Sequence, residues 1–198
     1  NLYALKSPTG TYFSFVAPTD GTSSAASFQA TPTFFYKEVS DTGYTFEDMG
    51  TSGRFIGLNG DWNVGTTSAV WNISAEDANG YVTISRSTDA NARLGHDDNT
   101  TVGTGVFTNV GADCNKWQLI PAYPITIIYK NSNDEVLETV KAATIAGTGY
   151  SFTINPQGGK LVSCIADKGT MTETDGTYSF AAVNGATTVT VTLEEVPE

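Results

Sequence analysis

Basic residues, histidine and cysteine are all scarce in this chain of 198 residues. Ten Lys and Arg stand against 21 Asp and Glu, which gives a formal net charge of −11. A chain this acidic, without a basic run, repels phosphate backbones, so nucleic acid is excluded as an expected partner. No apolar stretch approaches the roughly 20 residues that span a bilayer, so membrane insertion is not expected either.

Charged residues of both signs are also few, at 16% of the chain where about 25% is usual. Lys and Glu, which favour helices, give way to Thr, Ser, Asn and Gly, which favour strands and turns. Because 39% of the residues are hydrophobic, the chain has the material for a packed core. These proportions predict an all-β fold rather than a disordered chain.

The two cysteines, Cys114 and Cys164, are too few for a disulfide framework. Two interpretations stay open: separate half-buried thiols, or one bridge that ties two parts of the chain together. With His96 as the one histidine, the cysteines are also too few and too scattered for a structural zinc site. The run Asp97-Asp98-Asn99 lacks the ligand spacing of an EF-hand calcium loop. We therefore expect neither a metal nor a cofactor.

The part of the chain before residue 122 repeats one pattern three times, at intervals of about 40 residues. Each repeat opens with an alternating strand, continues with a second strand and closes with an aromatic landmark. The opening strands are 3–5, 44–46 and 82–84, the second strands 12–14, 55–57 and 93–95, and the landmarks 34–36, 71–73 and 117–119. Three such repeats around a pseudo-threefold axis can close a small barrel capped by hairpins. The pattern predicts a β-trefoil.

The closing aromatics carry a resemblance to the ricin-type lectin family, whose repeats end in Gln-x-Trp. In the third repeat Trp117 follows Asn115 and Lys116, so Asn115 stands in the place of the Gln. Ala69 takes that place in the second repeat, and the first has Phe34 instead of a Trp. The resemblance implies a β-trefoil over residues 1–122 with sugar pockets in its loops, and hence a carbohydrate-binding function.

Residues 123–198 have a different composition and predict a meander of short Thr/Val-rich strands. We place the boundary near residue 122, because Pro121 and Pro124 cannot donate to a strand ladder. The pattern resembles the mucin-binding-protein-like or immunoglobulin-like modules of secreted bacterial proteins, which implies a spacer or adhesion role. The expected fold is a small antiparallel β-sandwich-like module.

A sugar site needs a flat aromatic face beside carboxylate and amide groups that bond neighbouring hydroxyls. In the second repeat, Asn59, Asp61 and Trp62 supply these groups within one short segment. The equivalent segment of the third repeat supplies a second set, which consists of His96, Asp97 and Asn99, with Phe107 as a further platform. The lectin resemblance implies a binding role for Asp61, Trp62, Asp97 and Asn99. The alternative is that Trp62 packs over the barrel end and the polar residues only form turns.

Catalysis is not expected of this chain. His96 precedes Asp97 directly, and adjacent residues on an extended chain point to opposite sides, so they form no oriented dyad. No spacing among the carboxylates singles out a glycosidase pair either. Because the chain begins at Asn1, we expect neighbouring domains in a longer protein. The sequence predicts a non-catalytic carbohydrate-binding accessory region of a secreted or surface bacterial protein, or a periplasmic one, such as a glycan-degrading enzyme. The alternative is a structural or protein-docking spacer with degenerate pockets.

Overall fold

The computed structural model describes residues 1–21, 25–59, 62–95, 101–109, 113–156 and 159–194. Within these ranges the regular structure is strand, apart from one 3-10 turn at Asp113–Asn115, so the all-β prediction is confirmed. The described part of the chain contains no helix long and apolar enough to cross a membrane. The chain divides into two compact units, Asn1–Pro121 and Ala122–Glu198.

The strands described in the first unit fall into three repeats of four. The strands are β1 (Leu2–Lys6), β2 (Tyr12–Ser14), β3 (Ser27–Gln29) and β4 (Phe35–Ser40); β5 (Gly43–Asp48), β6 (Phe55–Asn59), β7 (Trp62–Gly65) and β8 (Trp71–Ile73); β9 (Val82–Arg86), β10 (Asp89–Gly95), β11 (Phe107–Asn109) and the start of β12 (Lys116–Asn131). The first and fourth strands of the repeats pair in the order β1–β4–β5–β8–β9–β12, and β12 pairs β1 to close a six-stranded ring. The remaining strands form the hairpins β2–β3, β6–β7 and β10–β11. The described strands of this unit thus form a six-stranded ring and three hairpins.

The core of the first unit repeats with the strands. Leu5, Phe46 and Ile84, one from each opening strand, are fully buried. The buried set also includes one residue from each second strand and one closing aromatic per repeat, which are Phe13, Ile56 and Leu94, and Phe35, Trp71 and Trp117. Each repeat therefore supplies these three equivalent residues to the core, and the first and third repeats add Ala26, Phe28, Val82 and Val106.

The closing aromatics show the register of the repeats. Phe35 pairs with Tyr3, as Trp71 pairs with Tyr44 and Trp117 with Val82. The expectation that Phe34 replaces the Trp of the first repeat is therefore wrong, because Phe35 occupies that position and is fully buried. Neighbouring residues of a strand face opposite sides, and two adjacent Phe residues gave no basis for choosing between them.

The second unit contains a mixed sheet and an antiparallel sheet. Its strands after β12 are β13 (Val136–Ile145), β14 (Tyr150–Thr153), β15 (Lys160–Ala166), β16 (Met171–Thr174), β17 (Thr177–Phe180) and β18 (Thr187–Glu194). The order is β13–β12–β18–β15 in the mixed sheet and β14–β17–β16 in the other. The core is formed by Ile125, Ile127 and Tyr129 of β12 and Val189, Val191 and Leu193 of β18, with Phe180 and Val183.

Three features of this unit differ from the expected antiparallel meander. Strands β12 and β18 are parallel, and β16 was not expected. A parallel pair needs a long connection, and here the whole unit between the two strands provides it. Pro121 and Pro124 lie inside β12 and do not interrupt it. Pro124 pairs with Ala143 of β13, whereas the ladder with β18 begins one residue later, at Ile125. At Pro124, β12 therefore has no β18 partner that would need the missing N–H.

Candidate functional site

The predicted residues of the second repeat lie at the β6–β7 hairpin. Asn59 ends β6, Trp62 begins β7, and the two are partners in the ladder. Asp61 lies outside the described residues, as do the side chains of Asn59 and Trp62. The structure thus brings the backbones of Asn59 and Trp62 together, with two residues of sequence, Gly60 and Asp61, between them.

The predicted residues of the third repeat follow β10 directly. This strand ends at Gly95, and His96, Asp97 and Asn99 lie outside the described residues. Gly95 pairs with Phe107 of β11, and Phe107 in turn pairs with Trp62 of β7. Trp62 and Gly95 are therefore two strand spacings apart, about 10 Å.

This register changes the organisation of the candidate site. From the sequence, the second and third repeats appear to hold two separate pockets. In the structure, the residues that flank both segments, Trp62 and Gly95, lie on either side of Phe107 in one sheet. The sequence could not indicate this, because the β7–β11 pairing joins residues of different repeats. The described residues that flank the two segments, Trp62 and Gly95, thus belong to one neighbourhood.

The corresponding loop of the first repeat has a structural role. Its carboxylate, Asp20, accepts a hydrogen bond from the backbone N–H of Gly105 at 2.9 Å. The backbone N–H of Thr19 donates to the carbonyl of Gly103 at 2.7 Å, and the Thr19 hydroxyl donates to the same oxygen. These bonds attach the first-repeat loop to the segment that leads into β11.

A second polar group not foreseen from the sequence links the first two repeats. The Arg54 guanidinium donates from both Nε and Nη2 to Oδ2 of Asp48, a buried carboxylate. The other oxygen, Oδ1, accepts from the N–H of Gly50 at 2.8 Å. The guanidinium also lies over the Phe15 ring, 4.7 Å from its centroid. Because this pairing satisfies the buried charge, its role is structural.

Asn115, the residue in the position of the lectin Gln, is fully buried. Within the described residues neither its amide nitrogen nor its amide oxygen has a hydrogen-bond partner. A Cβ on Gly95 would clash with this oxygen and with the carbonyl of Cys114, so only glycine fits opposite Asn115. A buried amide without partners retains a donor and an acceptor, and this one lies against the residue that precedes His96.

The carboxylate of Asp77 organises a turn. Two backbone hydrogen bonds, from the N–H groups of Tyr81 and Asn79, lower the pKa of Asp77, and Lys116 at 3.8 Å adds to the effect. This is the pattern of a turn carboxylate that organises its own loop. Among the described residues, no group of three His, Cys, Asp or Glu side chains is placed to hold a metal ion.

Comparisons with known proteins found partial similarity to solved structures and no family. No protein-family model matches the chain, and no curated protein matches it. A GlcNAcα1-4Gal-releasing endo-β-galactosidase from Clostridium perfringens is similar over 61% of this chain and 32% of its own, at 19% identity and a TM-score of 0.47. A mosquitocidal holotoxin is similar over 63% and 18%, at 12% identity and a TM-score of 0.47. A salivary protein of the cysteine and tryptophan-rich family from Culex quinquefasciatus is similar over 60% and 91%, at 16% identity and a TM-score of 0.42. The chain thus spans about a third of the first neighbour and under a fifth of the second.

Proposed function

We propose that this chain is a non-catalytic carbohydrate-binding region of a secreted or surface bacterial protein, built on a lectin-like β-trefoil and accompanied by neighbouring domains. The observation that carries the proposal is the register Asn59–Trp62–Phe107–Gly95 across four adjacent strands. It places the backbones of an amide residue and two aromatic residues beside Gly95, which precedes His96, Asp97 and Asn99 in the sequence. Aromatic faces with amide and carboxylate groups are the chemistry that recognises a pyranose ring.

The absence of catalysis is part of the proposal. Nucleophilic catalysis requires a base held by an orienting group. His96 is the one histidine in the sequence, and its carboxylate neighbour Asp97 is adjacent along the chain. A binding site has no such requirement, since hydrogen bonds and stacking to a ground-state sugar suffice.

The direct test is a double substitution, Asp61→Ala with Trp62→Ala. Stacking on an aromatic contributes roughly 0.5–1.5 kcal/mol beyond burial, and a charged hydrogen bond about 1.5–3 kcal/mol. Calorimetric titration with a bound glycan should therefore show at least about tenfold weaker affinity. The substitution Glu76→Ala, at an exposed acid outside the candidate site, serves as the matched control and should leave the affinity unchanged.

Thermal melts of the same proteins separate binding from folding. The double variant should melt close to the parent chain. Unchanged affinity would move the site elsewhere, and a large fall in melting temperature would show that Trp62 belongs to the core.

A structural or docking spacer is the second candidate. One observation favours it: the Asp20 carboxylate of the first repeat is bonded to the N–H of Gly105, so that repeat uses its loop acid for scaffolding. If the other two repeats do the same, the chain gives no signal with any glycan, and the Asp61 and Trp62 substitutions change stability instead of binding.

A further inference from the structure

The side-chain amide of Asn115 is buried and presents a donor and an acceptor that no residue of the described ranges uses. Buried polar groups in folded proteins are nearly always hydrogen-bonded. A Cβ on Gly95 would meet the amide oxygen and the Cα of Asn115, so this side chain packs directly on the Gly95 backbone. The amide therefore lies beside the chain that leads into His96, which is itself outside the described residues.

The first repeat shows what a side chain at this position does. Thr33 stands two residues before the buried Phe35, as Asn115 stands two residues before the buried Trp117. The Thr33 hydroxyl accepts a hydrogen bond from the backbone N–H of Phe15 at 3.0 Å. Thr33 thus fixes the chain at the point where it leaves β2.

The donor in that bond has a counterpart in the third repeat. Phe13 and Leu94 are the equivalent buried residues of the second strands. Phe15 follows Phe13 by two residues, and His96 follows Leu94 by two residues. The backbone N–H of His96 therefore corresponds to the N–H that Thr33 binds.

The side chains around this bond differ in length, and the differences compensate. In the first repeat the hydroxyl of Ser14 lies 3.3 Å from that of Thr33, so two short side chains meet there. In the third repeat Gly95 replaces Ser14 and has no side chain, and the longer Asn115 replaces Thr33. The second repeat has Ala69 at this position, which has no polar side-chain atom. The first and third repeats, but not the second, thus have a side chain that can bind the departing chain.

We propose that Asn115 is a positioning residue for the segment that contains His96, Asp97 and Asn99. Its Oδ1 accepts a hydrogen bond from the backbone N–H of His96, and its Nδ2 donates to a backbone carbonyl of the same segment. A side-chain amide suits this role because it offers a donor and an acceptor, as a peptide group does. The purpose of the anchor rests on the proposed function, since a backbone fixed in advance lowers the entropy cost of binding a glycan.

The test is an NMR measurement of the scalar coupling across this hydrogen bond in the chain labelled with ²H, ¹³C and ¹⁵N. The coupling joins the backbone nitrogen of His96 to the side-chain carbonyl carbon of Asn115, and we expect it to be detected. It needs no glycan, so its outcome does not depend on the proposed function. A spectrum that shows such couplings within the β-sheet but none between these two residues would overturn the proposal.

Substitutions taken from the other two repeats provide the second measurement. Asn115→Ala, which introduces the residue of the second repeat, should make the His96 N–H exchange with solvent about tenfold faster. Asn115→Thr, which introduces the residue of the first repeat, should keep the exchange slow. The matched control Thr33→Ala should accelerate the exchange of Phe15 and leave His96 unchanged.

A residue that only fills the core predicts a different result. Asn115→Ala would then lower the melting temperature without a selective change at His96, and that outcome would also overturn the proposal. If Asn115→Ala does not fold, the coupling in the parent chain and the exchange in Asn115→Thr still decide.

The proposed function and this inference fail separately. On a glycan array, Asn115→Ala should weaken the signal of any glycan that the parent chain binds, and Asn115→Thr should retain it. An array without signal from the parent chain would refute the proposed function and leave the His96 coupling as measured. A parent signal that Asn115→Ala does not weaken would refute the positioning role alone.

Discussion

In the second and third repeats, the indole N–H of the closing tryptophan donates a hydrogen bond to a carbonyl of the second strand. In the first repeat, the equivalent carbonyl accepts from a backbone N–H. The indole of Trp71 donates to the carbonyl of Ile56 at 2.9 Å, and that of Trp117 donates to the carbonyl of Leu94 at 2.8 Å. Phe35, their equivalent, has no N–H, and the carbonyl of Phe13 accepts from the backbone N–H of Thr33 at 3.2 Å instead. The closing aromatic thus has a polar function as well as an apolar one.

The substitution Trp71→Phe tests this function. It keeps an aromatic ring but leaves the buried carbonyl of Ile56 without its donor, which lowers the free energy of unfolding by about 1–3 kcal/mol before any packing loss. Urea unfolding followed by far-UV circular dichroism measures the change. The control Val39→Thr, at a side chain that is 83% exposed, should stay within about 0.5 kcal/mol. Equal effects of the two substitutions would contradict the role given to the indole.

Cys164 provides a residue-scale prediction that depends on pH. Its thiol is half-buried in the second unit. Burial raises the pKa of Cys164 from 9.0 to about 11. Because the thiolate is the reactive form, alkylation of Cys164 by iodoacetamide should keep accelerating as the pH rises past 9, whereas in the urea-unfolded chain it should level off near that value. Peptide mass spectrometry follows the site.

The same shift has a consequence for stability. The folded state disfavours the Cys164 thiolate, so the contribution of this thiol is complete below pH 9 and is lost as the pH rises toward about 11. An alkylation rate that levels off near pH 9 in the folded chain as well would show that burial does not raise the pKa.

At the scale of elements, the β16–β17 hairpin depends on a two-residue turn. Asp175 and Gly176 both have positive φ values, 50° and 78°, between the paired residues Thr174 and Thr177. This is the backbone that Asp-Gly favours in tight hairpins, and the Gly176 N–H also donates to Glu173. The hairpin therefore has a local sequence determinant.

The substitution Asp175→Val should destabilise the protein by about 1–2 kcal/mol, because a β-branched residue resists the left-handed conformation. Asp175→Asn should be nearly neutral, since Asn tolerates this conformation. Thr174→Val, at the exposed neighbouring strand position, is the control for added apolar surface. Urea unfolding of the three variants gives the comparison, and a Val variant as stable as the Asn variant would refute the turn argument.

The elements show what sequence could and could not predict. Alternation and spacing located the strands that contain Leu5, Phe46 and Ile84, because each buries its own apolar face. Whether β12 continues through Pro121 and Pro124 depends on which strands pair with it at those positions. The parallel β12–β18 pair depends on contacts between residues far apart in the sequence. Local pattern has no information about either.

At the scale of the whole molecule, the candidate site is a product of the repeat arrangement. The sequence identified the residue types, from Asn59 and Trp62 to His96 and Asn99, but assigned them to two repeats as separate pockets. The pairing of Phe107 with both Trp62 and Gly95 joins these repeats, and it follows from the pairing of the β6–β7 and β10–β11 hairpins through β7 and β11 rather than from any motif. The proposed sugar site therefore rests on the fold.

A glycan-array screen of the intact chain, followed by mass spectrometry of the bound glycans, tests the central claim most directly. Carbohydrate binding without catalysis predicts that at least one glycan gives a signal, that the glycan is recovered intact, and that the Asp61→Ala, Trp62→Ala variant loses the signal. An array without any signal, or recovery of cleaved glycans, would contradict the account.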